Sequence, residues 1–231
     1  MFNRLNLLFK TGLTFGLILN AFLVHAITPT VIKKETADYI LDIKYPQGFE
    51  SPAVNTTIQD LIASTQKSFM NELSEDADTP ADAPGKTGLN ITYSVPYKTK
   101  TALSVRFNIS IFHKGAAHPS NTVVMKNFIN GKEVMLADLF VPGANYLNPI
   151  AAVAKKTITA KKISDEQWIS EGTKPTAENY SVWHFTDKGI AIIFNSYQVA
   201  AYVYGEQTVN IPLALIANLV KPVVAKTVWG N

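Results

Sequence analysis

Glycan hydrolysis needs one carboxylic acid to protonate the departing oxygen and a second carboxylate as base or nucleophile; in this sequence of 231 residues Glu206 and Asp138 are the obvious pair. Their positions in the chain fix no separation between them. There is no Gly-x-Ser-x-Gly elbow, no cysteine and no zinc-ligand set, so no catalytic residue is assigned and an enzyme is not expected. His113 and His118 lie five apart in a loop rich in Gly, Pro and Asn, which is not a metal-binding spacing. Asp76, Asp78 and Asp82 invite a calcium reading, but their loop lacks the glycine and terminal glutamate of an EF-hand and is stiffened by prolines. No metal and no cofactor is expected.

Binding chemistry is better represented. His118 and Pro119 sit in one loop (116–121), and Tyr197, Tyr202, Tyr204 and Glu206 in a second (197–206). Tyrosine rings supply contact area at little entropic cost, and Glu206, Asp138 and Asp187 could form an acidic patch for a basic partner. For His118 a plainer role also stands, hydrogen bonding to backbone carbonyls that fixes its turn.

The elements that must carry these loops follow from periodicity. Residues 36–45 alternate, with Tyr39, Leu41, Ile43 and Tyr45 on one side, and predict a strand ended by Pro46. Thr56-Thr57-Ile58-Gln59 reads as a capping box, and Ile58, Leu61, Ile62, Thr65, Phe69 and Leu73 place one stripe on the helix that follows. Residues 74–88 break every period and predict a surface loop. Strict alternation over 89–95 and 102–112 predicts a hairpin covering that helix; Arg106, Asn108 and Ser110 lie on its other face, either in solvent or on a binding surface. Asn130-Gly131 marks a further hairpin, since its turn requires positive φ at both residues.

Asp138 is expected to cap a short turn at 137–140, and Leu147, Ile150, Ala151, Ala154 and Ile158 define a second helix. Residues 164–180 read as polar and irregular. The next hairpin, 181–186 with 190–194, has Trp183 and Phe185 in the core and His184 facing outward. Residues 209–211 predict a core strand, and Pro212 opens a closing helix through Val220, stopped by Lys221-Pro222. The fold class expected is α+β, antiparallel sheet with two or three packed helices.

Arg4 and Lys10, the apolar run that follows and the small-residue site Val24-His25-Ala26 predict a cleaved signal peptide at 1–26. The expected division is then an N-terminal half (27–115), a C-terminal half (116–222) and a tail (223–231). No membrane span is expected after cleavage. Without Arg4 and Lys10, Lys+Arg falls from 21 to 19 against 18 Asp+Glu, which is close to neutral. Lys155-Lys156 and Lys161-Lys162 fit a solvated helix face, so no nucleic-acid partner is expected. The chain reads as periplasmic or secreted, and with no cysteine its stability must come from burial and hydrogen bonding.

Ala117-His118-Pro119-Ser120-Asn121, Leu136-Ala137-Asp138-Leu139-Phe140, and Phe194 through Glu206 followed by Val209-Asn210-Ile211-Pro212 resemble one family in order and spacing. It is the extracellular domain of lysozyme-sensing anti-sigma factors of the RsiV kind, found also as a non-catalytic domain of PdaC-type peptidoglycan deacetylases. The likeness runs from about Asp38 to Val220. Ala201 stands where the family usually has proline before the tyrosine, and Lys114-Gly115-Ala116 where it has a glycine-rich turn. The resemblance implies an α+β fold and recognition of lysozyme-type muramidases or peptidoglycan. These 231 residues carry no sigma-binding segment and no deacetylase domain, so neither activity is read onto them. The expected function is an exported envelope binding protein; the alternatives are a structural envelope domain and a cell-wall hydrolase.

Overall fold

The computed structural model describes residues 27–75, 80 and 82–230; the expected signal peptide, Asp76 and Asp78 lie outside them. Among the described residues nine strands form two sheets, six in the order β1-β2-β3-β4-β5-β6 and three in the order β7-β8-β9. In the larger sheet β1 (Thr28–Glu35), β2 (Tyr39–Gln47), β3 (Thr87–Lys98), β4 (Ala102–Phe112), β5 (Ser120–Ile129) and β6 (Lys132–Glu133) pair as neighbours. All of these pairs are antiparallel except β2 with β3. A parallel pair needs a crossover, and α1 (Pro52–Glu75) supplies it, so the sheet is mixed rather than purely antiparallel.

The α1 stripe is Val54, Ile58, Ile62 and Phe69, buried on Leu41, Ile43, Leu89, Ile91, Val105 and Phe107. Each such side chain taken from water contributes roughly 1.5–3 kcal/mol. The helix begins four residues before the expected Thr56. Pro52 occupies its first turn, where a missing N–H costs nothing. Asn55 fixes the approach, accepting from the Phe49 N–H at 3.1 Å and donating to the Phe49 carbonyl at 2.8 Å. Asn130 and Gly131 both have positive φ (49° and 76°), as their hairpin turn requires.

The second core lies under β7 (Trp183–Thr186), β8 (Gly189–Phe194) and β9 (Gln207–Pro212). It is closed by α2 (Leu147–Lys161), α3 (Glu166–Gly172), α4 (Leu213–Ile216) and α5 (Pro222–Trp229). β8 is buried at every residue, as the central strand of a covered sheet must be. Three expectations change here. Residues 164–180 contain α3, whose N-cap Asp165 accepts from the Trp168 N–H at 2.8 Å. The closing helix stops at Ile216, and the expected tail is mostly α5, which starts with Pro222 and buries Val224 and Val228. Tyr97 Oη donates to the Val228 carbonyl (3.0 Å) and Trp229 Nε1 to that of Thr186 (2.9 Å), so α5 ties both sheets together. The expected boundary at 115/116 falls between β4 and β5, neighbours in one sheet. The α+β class holds, with five α-helices among the described residues.

β7 is an edge strand of its sheet. The Val182 carbonyl accepts from Ile193 N–H (2.8 Å), so ladder alternation turns the Trp183 carbonyl and the Phe185 N–H to the unpaired edge. The larger sheet satisfies both. Asn127 Nδ2 donates to the Trp183 carbonyl (2.7 Å), Phe185 N–H donates to Ser104 Oγ (3.1 Å), and Ser104 Oγ donates to Asn127 Oδ1 (2.7 Å).

Candidate functional site

The β4–β5 loop carries His118 and Pro119, and the loop after β8 carries Tyr197 and Tyr202. Asn195 ties the second loop to β5 by imitating a strand: Val123 N–H donates to its Oδ1 (2.7 Å) and its Nδ2 donates to the Val123 carbonyl (3.3 Å). Asn195 N–H donates to Gln198 Oε1 (3.2 Å), and Gln198 Nε2 reaches the carbonyls of Gly172 (3.3 Å) and Asn179 (3.0 Å). Trp168 Nε1 donates to the Tyr197 carbonyl at 2.9 Å. Thus α3 anchors Tyr197, which is held at φ 68°.

His118 stacks on Tyr202 with centroids 4.0 Å apart at 15°, and Tyr197 completes the cluster 5.7 Å from Tyr202. His118 Nδ1 lies 3.0 Å from the Pro119 carbonyl, which can only accept, so Nδ1 carries a proton there, and Nε2 lies 3.4 Å from Tyr197 Oη. The turn-fixing role and the surface role of His118 therefore coexist. Asn121 Nδ2 donates to Tyr202 Oη (2.7 Å). Tyr204 stands apart from the cluster and half exposed on the one-turn 3-10 helix Tyr202–Tyr204, beside Val203, which is 82% exposed.

Next to the rings lies a cleft of about 280 Å³ lined by Asn90, Asn108, Ser110, Asn121, Asn195 and Glu206. Glu206 is no free acid. Arg106 Nη2 donates to both its oxygens (2.6 and 2.5 Å), and Arg106 Nε donates to Asn108 Oδ1 (2.8 Å). The expected acidic patch does not assemble: neither Asp138 nor Asp187 lines the cleft. The Asp138 carboxylate accepts from the Met135 N–H (2.8 Å) at the 3-10 helix Leu136–Leu139, so it caps from inside the turn and is not paired with Glu206. Among the described residues, no three His, Asp or Glu side chains gather in a metal-binding arrangement.

His184, expected to face outward, is half-buried with Nδ1 2.7 Å from the Phe185 carbonyl. Burial lowers its pKa and Arg106 adds to that, against the pull of the carbonyl. A depressed histidine protonates sooner unfolded than folded, so its contribution is full above the unfolded value near 6.5 and is lost as pH falls from there through the folded value. His184→Gln is expected to flatten this acid slope in denaturant melts at successive pH values; an unchanged slope contradicts it.

Ala201 has φ −61° and ψ 155°, which is the conformation of a proline. The departure from the family pattern thus leaves the backbone of the loop intact. Ala201→Pro is expected to keep binding and to raise stability by about 0.4–1 kcal/mol through the unfolded chain, as thermal unfolding would read.

The cleft residues Asn108 and Ser110 stood on the polar face of β4, whose strict alternation was their signal. Trp168 and Gln198 gave none, because their roles are hydrogen bonds to distant backbone.

Residues 32–121 match the family model described as deacetylase PdaC, and residues 137–214 the model described as a protein of unknown function (DUF3298). The chain is 26% identical over 183 residues to the peptidoglycan-N-acetylmuramic acid deacetylase PdaC of Bacillus subtilis. That match covers 78% of this chain and 38% of the relative's length. The fold is shared with crystal structures of DUF3298-family proteins from Bacteroides fragilis (TM-score 0.61, 16% identity, 88% of this chain and 98% of that one) and Pseudomonas aeruginosa (0.62, 14%, 86% and 96%). No helix among the described residues is long and apolar enough to cross a membrane.

Proposed function

We propose that this PdaC/DUF3298-type chain is an exported, non-catalytic binding protein of the bacterial envelope, and that its partner is cell-wall material. The observation that carries the reading is the His118–Tyr202 stack, with Tyr197, at the mouth of an amide-lined cleft. Ring faces carry partial negative charge that attracts polarised C–H groups, while fixed amides take hydroxyls; together they suit a sugar surface. The relative's name places it on peptidoglycan, in keeping with this partner.

Lysozyme-type muramidases are the second reading. It is favoured by Val203 and Tyr204, 82% and 49% exposed on one short turn, an apolar projection suited to a protein partner.

Co-sedimentation with purified peptidoglycan sacculi, beside titration with several lysozymes, separates the two. Wild-type protein is expected to sediment with sacculi, and Tyr202→Leu to do so at least tenfold more weakly while retaining its fold. Micromolar binding to lysozyme alone moves the reading to the muramidase. Soluble fragments released by wild type and not by Glu206→Gln make the protein a hydrolase, and binding to nothing leaves a structural role.

A further inference from the structure

We infer that the cleft between β4, β5 and the 195–206 loop is a subsite for one N-acetylhexosamine unit, a pyranose bearing an acetamido group; this rests on the cell-wall reading above. Its size is the first reason. At about 280 Å³ it falls at the lower edge of small-molecule pockets, which begin near ~300 Å³, and so takes one sugar ring and not an extended chain.

Charge is the second. The two formal charges at the site, Arg106 and Glu206, are bound to each other, so a neutral ligand loses no Coulomb energy on entering and a charged one gains none.

The hydrogen-bonding complement is the third. Asn90 is anchored through Nδ2 to the Asp42 carbonyl (3.2 Å) and Asn121 through Nδ2 to Tyr202 Oη (2.7 Å), so each keeps its Oδ1 as a fixed acceptor. Glu206 keeps further lone pairs beyond its Arg106 bonds. Such acceptors meet the hydroxyl donors of a sugar. Beneath them Val123, 5% exposed and paired with Asn108 on the same face of the sheet, forms an apolar floor. A methyl carried on an amide is what fits an apolar floor ringed by carboxamides, and this distinguishes an acetamido sugar from glucose or a free amino sugar. Asn121 belongs to both the cleft and the Tyr202 contact, so a ring seated in the cleft meets the stack at its edge.

The test is titration of the ¹⁵N-labelled chain with N-acetylglucosamine, glucosamine and glucose, read on the side-chain amide signals of the asparagines. N-acetylglucosamine is expected to shift them at millimolar concentration, and the other two at least tenfold more weakly. Asn108→Ala is expected to weaken the response at least tenfold; Ser110→Ala, which leaves the Arg106 contacts untouched, covers the case in which the first variant fails to fold. Equal response to glucose overturns the inference. So does no response to any sugar while wild type still sediments with sacculi, which leaves the wider reading standing. Response to N-acetylglucosamine without binding to sacculi supports the subsite and removes the wider reading.

Discussion

Asn127→Ala is expected to lower stability by roughly 2–4 kcal/mol, far above the half kilocalorie typical of a polar surface substitution. Asn127 is 3% exposed, and its amide serves the Trp183 carbonyl while accepting from Ser104, itself fully buried. Alanine leaves the buried Trp183 carbonyl without a donor and the Ser104 hydroxyl, which keeps the Phe185 N–H, without an acceptor for its proton; each such loss costs about 1–3 kcal/mol. Asn127→Leu fills the volume and should be equally harmful, because the deficit is one of hydrogen bonds and not of packing. Chemical denaturation of the three proteins reads the effect. A loss below about 0.5 kcal/mol in either variant would show that the second sheet docks without this contact.

Gly172→Ala is expected to damage stability and binding together. A Cβ at this last residue of α3 would lie 2.0 Å from the Gln198 carbonyl oxygen and 2.9 Å from its carbon, and backbone atoms cannot swing aside. Overpacking of this kind costs about 1–3 kcal/mol, or roughly 2–4 °C in melting temperature for each kilocalorie at this chain length. The turn that must retreat carries Tyr197, whose carbonyl is held by Trp168 and whose neighbour Gln198 is bonded to Gly172 itself. Binding to sacculi should therefore weaken. Gly143→Ala is the control: nothing lies within 4 Å of its Cβ, so it bears only the strain of φ 79° and should leave binding unchanged. Equal melting temperatures and equal binding for Gly172→Ala and wild type would contradict the coupling.

The parts of the fold legible in the sequence are those in which a strong local period coincides with burial. The α1 stripe, the alternating strands β3 and β4, the Asn130-Gly131 turn and the apolar positions of α2 all occur where periodicity puts them. β1 was not legible, because Thr28–Glu35 is an exposed edge strand with no apolar face to mark it. Nor was α3, seven residues long and burying little besides Ile169. The parallel pairing of β2 with β3 could not be read either, since alternation tells which face a residue takes and not which strand lies beside it.

For the site, residue types alone marked the loops at 116–121 and 197–206, and His118, Tyr197 and Tyr202 do meet there. What only the tertiary structure decided is the company they keep. Glu206 is neutralised by Arg106 from 100 residues away, the polar face of β4 turns out to wall a cleft, and Asn127 reaches Trp183 across 56 residues. A polar side chain on a strand reads as solvent-facing whether it meets water or another sheet, because periodicity records the backbone's geometry and carries nothing about what packs against it.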